Sequence, residues 1–191
     1  MKSREALIIV DVQVDFCPGG ALAVADGDRV VPALNRYIAR FRQAGMPIFA
    51  SRDWHPAVTK HFKAYGGIWP VHCVQDTAGG AFHPGLTLGR EVIIISKGML
   101  ADSDSYSAFD GNDESGTSLA ECLRQRGVEK IHVGGLATDY CVKQTVLSGI
   151  KFGFAVNLLT DAIRGVELAA GDSHRAIEEM FQAGATQEHL Q

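Results

Sequence analysis

Four side chains capable of covalent or acid–base chemistry each stand at the end of a short apolar run. Asp11 follows Ala6-Leu7-Ile8-Ile9-Val10, and Asp53 comes just after Pro47-Ile48-Phe49-Ala50-Ser51. Lys97 follows Val92-Ile93-Ile94-Ile95-Ser96, and Cys141 lies beyond Ile131-His132-Val133-Gly134-Gly135. A cysteine supplies a nucleophile, a buried carboxylate can take its proton, and an ammonium holds the resulting charges together. Asp53-Trp54-His55 puts a carboxylate and an imidazole on one side of an extended chain, because side chains repeat every two residues there. The combination is suited to acyl transfer beside a metal.

These residues need elements that bring them together. Each apolar run reads as a short, fully buried strand, and helical periods separate several of them. That alternation predicts a parallel α/β sheet, in which ligands bind outside the carboxyl ends of the strands. Strands are expected at about 6–12, 47–51, 91–96, 130–134 and 153–158. Asp11 and Lys97 are expected to end adjacent strands. Val30 to Ala44 reads as a helix, with Val30, Val31, Leu34, Ile38 and Phe41 on one face, Asp26 or Asp28 as its cap and Gly45 with Pro47 as its stop. Further helices are expected from Ser115 or Thr117 to Arg126, from about Tyr140 to Leu147, and over about 168–183. The stretch 52–90 lacks periodicity, and a loop that long inside a compact domain is usually functional. A second loop covers 98–116.

Composition narrows the class. The 191 residues are 46% hydrophobic and 21% charged, with a net charge of −4, as expected for one globular enzyme domain over 1–191. No basic patch points to nucleic acid, no cationic amphipathic stretch points to a membrane surface, and no apolar run approaches a transmembrane helix. Met1-Lys2-Ser3-Arg4-Glu5 leads straight into a strand, so no signal peptide is expected. The four cysteines have no C-x-x-C spacing, which suits a cytoplasmic protein with free thiols.

Cys141 sits where a strand, a glycine-containing turn and a helix meet. There the helix dipole should lower the thiol pKa, and backbone N–H groups at the turn could hold an oxyanion. Cys17, Cys73 and Cys122 read as buried structural residues, Cys122 repeating at helical spacing with Leu119 and Leu123. A cysteine nucleophile usually has a histidine base, but the one histidine at another strand end is His55, which reads as a metal ligand. Asp11 is therefore the expected base, with Lys97 holding the charged pair. His61 and His72 follow Asp53-x-His55 within 18 residues. An aspartate with two or three histidines suits Zn²⁺, Fe²⁺ or Mn²⁺. His83, His132, His174 and His189 read as structural or surface residues.

The chain resembles the nicotinamidases, cysteine hydrolases of the isochorismatase-like superfamily. The resemblance is carried by Ile9-Val10-Asp11-Val12-Gln13-x-Asp15-Phe16, Asp53-x-His55, Trp69-Pro70-x-His72-Cys73, Lys97-Gly98, Tyr106-Ser107-x-Phe109 and Ala137-Thr138-Asp139-Tyr140-Cys141-Val142. It extends from the first strand to the last helix. One departure is Val14, where many relatives have Asn. The resemblance implies a single-domain three-layer sandwich, a six-stranded, mainly parallel sheet with helices on both faces. It also implies an Asp11–Lys97–Cys141 triad and a cis peptide before Ala137, which directs the N–H groups of Ala137 and Cys141 at the oxyanion. It implies one divalent metal ion per chain, zinc first and iron or manganese next, held by Asp53, His55 and His72, with His61 as a further ligand. Phe16, Trp69 and Tyr106 match positions that line the substrate ring. The implied reaction is hydrolysis of nicotinamide, and of pyrazinamide, to acid and ammonia through a cysteine thioester, in NAD salvage, by a monomer or homo-oligomer. Isochorismatases lack the cysteine and carbamoyl amidohydrolases typically lack the metal set, so both are weaker fits. A non-enzymatic module that kept the fold would have no need of Asp11, Lys97 and Cys141 together.

Overall fold

Successive residues of the first apolar run enter opposite cores. Ala6, Ile8 and Val10 pack on one face and Leu7 and Ile9 on the other, all without solvent exposure. This is the period-two alternation of a strand buried on both sides. The computed structural model describes residues 4–190. Six strands, β1 Glu5–Val10, β2 Ile48–Asp53, β3 Ile93–Lys97, β4 Lys130–Leu136, β5 Ala155–Arg164 and β6 Thr186–Glu188, form one sheet. Their order is β3-β2-β1-β4-β5-β6, and every pairing is parallel.

Four helices cover the sheet: α1 Val30–Gln43, α2 Leu119–Gln125, α3 Lys143–Lys151 and α4 Asp172–Gln182. Helix α1 buries Val30, Val31, Leu34, Tyr37, Ile38 and Phe41 against one face. The other three supply Leu119, Leu123, Val146 and Met180 to the opposite core. The expected three-layer α/β sandwich is therefore observed. Among the described residues no helix is long and apolar enough to cross a membrane.

Several local expectations are corrected. Lys97 and Asp11 do not end neighbouring strands, because β2 lies between them; they meet only because the lysine side chain reaches across that strand. Neither Asp26 nor Asp28 caps α1. A tight turn over Gly27–Arg29 runs directly into it with Arg29 already helical, which leaves no extended residue to act as a side-chain cap. Helix α2 begins after Ser118, whose hydroxyl accepts from Glu121 N–H. The N–H groups of Ser115 and Thr117 instead donate to the Asp113 carboxylate, which folds that segment as a turn. The last helix starts at Asp172 rather than near 168, because the Glu167 carboxylate takes the N–H groups of Gly171 and Ser173 and holds the approach as a loop. Strand β5 runs to Arg164 across a register shift opposite Val133 and Gly135. At Gly135, with φ of +129°, any Cβ would lie 2.1 Å from the Val10 carbonyl oxygen, so β4 can approach β1 here only with glycine. That approach delivers the end of β4, and with it Cys141, beside Asp11.

Candidate active site

The carboxyl ends of β1, β2, β3 and β4 converge. Asp11 turns off β1 in a left-handed conformation, φ +48°, a backbone state that costs about 1–3 kcal/mol for a non-glycine residue. The local hydrogen bonds that accompany it run from Asp11 N–H to the Ser51 carbonyl at 3.2 Å and from Gln13 N–H to the Asp11 carbonyl at 2.8 Å. Ser51 Oγ donates to Asp11 Oδ1 at 2.7 Å. Lys97 Nζ lies 3.0 Å from Asp11 Oδ2, is paired with Asp53 and donates to Cys141 Sγ at 3.6 Å. Asp11, Asp53 and Lys97 are all buried. The donor atoms of Asp11, Asp53 and Cys141 lie within 4.8 Å of one another.

Electrostatics follow from this packing. Burial pushes the Asp11 carboxyl up from its ordinary range; Lys97 opposes that shift and Asp53 adds to it. Burial likewise works against the Asp53 charge, but Lys97 and then His55 hold its carboxyl below the usual range. Burial disfavours the Lys97 ammonium, yet Asp11 and Asp53 outweigh this and hold it well above its ordinary value. The expected lowering of the Cys141 pKa is reversed. Burial drives the thiol well up, with Lys97 opposing and Asp11 and Asp53 reinforcing. A helix dipole contributes only a fraction of a charge at its end, whereas burial and two neighbouring carboxylates all disfavour the thiolate. The resting site therefore keeps a proton on sulfur, and the nucleophile depends on a base.

The turn that carries Cys141 is wider than expected. Thr138–Val142 forms one turn in which Val142 N–H bonds to the Ala137 carbonyl at 3.0 Å, five residues back, before α3 begins at Lys143. The Leu136–Ala137 peptide is cis, as the resemblance implied. Ala137 and Cys141 face the same cleft.

Beside this cluster stand three buried histidines. His55 pairs with the returning chain, its N–H donating to the Cys73 carbonyl and its own carbonyl accepting from Gln75 N–H. That bridge sets His72 against His55, and a second bridge between Phe62 and Trp69 sets His61 beside both. The ring centroids are 4.6 Å apart for His55–His61, 5.1 Å for His55–His72 and 5.4 Å for His61–His72. The ring of Phe62, fully buried, contacts all three.

Each Nδ1 has an acceptor: Gly98 carbonyl at 2.9 Å for His55, Asp104 carboxylate at 2.6 Å for His61 and Pro70 carbonyl at 2.7 Å for His72. These bonds assign the neutral proton to Nδ1 and leave each Nε2 lone pair available, the arrangement usual for metal-bound histidine. Buried His55 Nε2 has no hydrogen-bond partner. Burial lowers the pKa of His61 and takes that of His72 down to about 4, so both rings stay neutral at pH 7. Asp53 Oδ2 is 3.8 Å from His55 Nε2, which places this carboxylate between the lysine and the histidines. The donor set fits a divalent ion. Gly98 completes the packing: with φ of +66°, a Cβ there would meet the His55 ring at 2.5 Å.

A cleft joins the two clusters. Phe16, Trp69 and Tyr106 line it, together with Cys141, His61 and His72. Trp69 Nε1 donates to Tyr106 Oη at 2.9 Å. All the residues singled out in the sequence thus gather at one place, whereas Cys17, Cys73 and Cys122 are buried free thiols outside the cleft lining. Sequence reasoning missed several supports. Gln13 brackets Asp53, its amide donating to the Asp53 carbonyl and accepting from Asp53 N–H, both at 2.8 Å. Ser51, Phe62 and Asp104 were equally invisible, since each acts through a neighbour distant in the chain. Tyr140 also lines the cleft, packed edge-on to Trp69 at 5.1 Å; its place next to Cys141 in sequence was the available signal.

Comparison with known proteins agrees with this geometry. The chain is 43% identical to a nicotinamidase of Escherichia coli (strain K12), with 95% of this chain and 92% of the relative covered. It is 42% identical to a nicotinamidase/pyrazinamidase of Mycobacterium tuberculosis, covering 93% and 95%. The crystal structure of a pyrazinamidase of Pyrococcus horikoshii in complex with zinc superposes with a TM-score of 0.91 at 43% identity, covering 98% of this chain and 99% of that one. The isochorismatase domain family matches residues 5–190, and the chain belongs to that family.

Proposed function

We propose that this chain is a nicotinamidase, hydrolysing nicotinamide to nicotinate and ammonia in NAD salvage and accepting pyrazinamide as well. The observation that carries the reading is one cleft lined by Cys141 on one side and by His61 and His72 on the other, with the His55 ring buried against both histidines. Aromatic walls at Phe16, Trp69 and Tyr106 suit a flat heteroaromatic ring between them.

Asp11 takes the Cys141 proton, and the thiolate attacks the carboxamide carbon. Lys97, in reach of both, offsets the charge that moves from carboxylate to sulfur. The N–H groups of Ala137 and Cys141 hold the oxyanion. The C–N bond breaks, protonated Asp11 gives its proton to departing ammonia, and a nicotinoyl thioester remains on Cys141. Asp11, again a carboxylate, deprotonates water; the hydroxide adds to the thioester carbonyl, the C–S bond breaks to release nicotinic acid, which ionises in solvent, and Asp11 returns the proton to the Cys141 sulfur. The thiol's raised pKa makes this shuttle necessary, because little thiolate exists without it. Asp53, His55, His61 and His72 are the residues that would hold one divalent metal ion, with zinc the first choice for a nitrogen-rich site. When bound, that ion supplies a Lewis-acid position for the pyridine nitrogen. The chain acts in this reading as one domain over 1–191, and its four free thiols fit the cytoplasm.

Benzamide has the shape of nicotinamide without the ring nitrogen. Wild-type kcat/KM is expected to be far higher for nicotinamide than for benzamide, because misplacement of the reacting carbon is costly. His72→Ala should lose most of the nicotinamide activity and change the benzamide rate much less. Equal kcat/KM for the two amides in the wild-type enzyme would sink the ring-nitrogen role.

A further inference from the structure

We propose that Asp104 is the positioning residue that makes His61 a metal ligand; the inference rests on the metal reading above. His55 and His72 are oriented by the main chain, through the Gly98 and Pro70 carbonyls. His61 alone is oriented by a side chain, the Asp104 carboxylate at 2.6 Å. The carboxylate accepts from Nδ1–H, which keeps Nε2 as the free lone pair and fixes the ring's rotation about its Cβ–Cγ bond. The His61 side chain is 4% exposed and the Asp104 side chain 61% exposed, so the pair reaches from solvent into the site without belonging to the core.

The segment that carries Asp104 is fastened to the segment that carries His61. Lys60 N–H donates to the Ala101 carbonyl at 2.8 Å, Thr59 Oγ1 donates to the same oxygen at 3.2 Å, and Lys60 Nζ pairs with Asp102 at 2.8 Å. These contacts hold Asp104 opposite His61 independently of the carboxylate itself, so replacing the carboxylate should leave the two segments docked. Two residues on, Tyr106 accepts from Trp69 at the cleft wall.

Partners of this kind typically contribute about 10–100-fold to metal affinity. The test is the Zn²⁺ dissociation constant of the full chain, measured by competition with a chromophoric chelator, for wild type, Asp104→Ala, Asp104→Asn, His61→Ala and the Asp104→Ala/His61→Ala double variant. Asp104→Ala should bind Zn²⁺ about 10–100-fold more weakly. Asp104→Asn keeps an acceptor oxygen for Nδ1–H and should lie nearer wild type than alanine does. In the His61→Ala background, Asp104→Ala should change affinity no further. The visible spectrum of the Co²⁺-loaded Asp104→Ala protein should shift toward that of His61→Ala. Wild-type affinity in Asp104→Ala, an asparagine variant as weak as alanine, or an equal loss with and without His61 would each overturn the inference. Failure of the wild-type chain to bind Zn²⁺, by contrast, would overturn the metal reading on which it rests.

Discussion

Cys141→Ala is expected to lower kcat for nicotinamide by about 10⁶-fold, the scale seen when a hydrolase triad loses its nucleophile. The substitution removes one sulfur from a residue that is already 7% exposed at the cleft. Lys97 keeps both carboxylate partners, Asp11 and Asp53, so the buried charges remain paired. The histidine cluster stands on other segments, and its ring stacking and Nδ1 hydrogen bonds do not involve Cys141. The fold and the metal content should therefore be unchanged, which circular dichroism and metal analysis can establish on the sample used for the ammonia-release assay. Retention of kcat within tenfold of wild type would exclude covalent catalysis by this cysteine.

Asp11→Asn should be nearly as severe. The carboxylate serves both half-reactions, first as proton acceptor from sulfur and then as proton donor to ammonia. A general acid or base is typically worth about 10²–10⁴-fold, and with both roles removed the loss should reach the upper end of that range or exceed it. The direction of the pH dependence also follows. Asp11 works as a carboxylate, and burial raises its pKa. Wild-type kcat/KM should therefore fall as pH drops through a value above the ordinary aspartate range, and the residual activity of Asp11→Asn should lack that limb. Lys97→Met should be strongly impaired too, because two buried carboxylates would then face each other without a cation. Near-normal kcat/KM in Lys97→Met would remove the lysine from the mechanism.

The parts of this molecule that were legible in sequence are those whose physics is local. Strands β1 and β2 announce themselves as apolar runs because they are buried on both faces, and β3 and the first half of β4 carry such runs as well, whereas Asn157, Thr160 and Asp161 interrupt β5, whose second half the sequence did not reveal. Strand β6 is Thr186-Gln187-Glu188 and has no such run. It pairs at the sheet's edge and is held by polar contacts, Glu188 to Asn157 at 2.7 Å, to Arg40 at 3.0 Å and to His132 at 2.6 Å. Reading the residues alone did not find it; the family resemblance implied it. Asp11, Asp53, Lys97 and Cys141 were legible because a parallel sheet sends the residues after its strands to one edge. The pairing of Asp11 with Lys97 was legible too, but not the strand order behind it, since the sheet interposes β2 between them and so brings Asp53 into contact with the lysine. The histidines could be gathered from their density in one loop, but the ring of Phe62 beneath them and the Asp104 carboxylate behind His61 depend on chain crossings that no spacing encodes. The thiol's pKa was misjudged for the same reason: the helix end is local, whereas burial and the two carboxylates are contributed by distant segments.

The claim at the centre of this account is a nicotinoyl thioester on Cys141, and its most direct test is partitioning with hydroxylamine. Turnover of nicotinamide and of methyl nicotinate is followed at one fixed hydroxylamine concentration, and nicotinohydroxamate and nicotinate are quantified. A common acyl-enzyme predicts the same hydroxamate-to-nicotinate ratio from both substrates and the loss of both products in Cys141→Ala. Different ratios from the two substrates, or turnover that yields no hydroxamate, would contradict it.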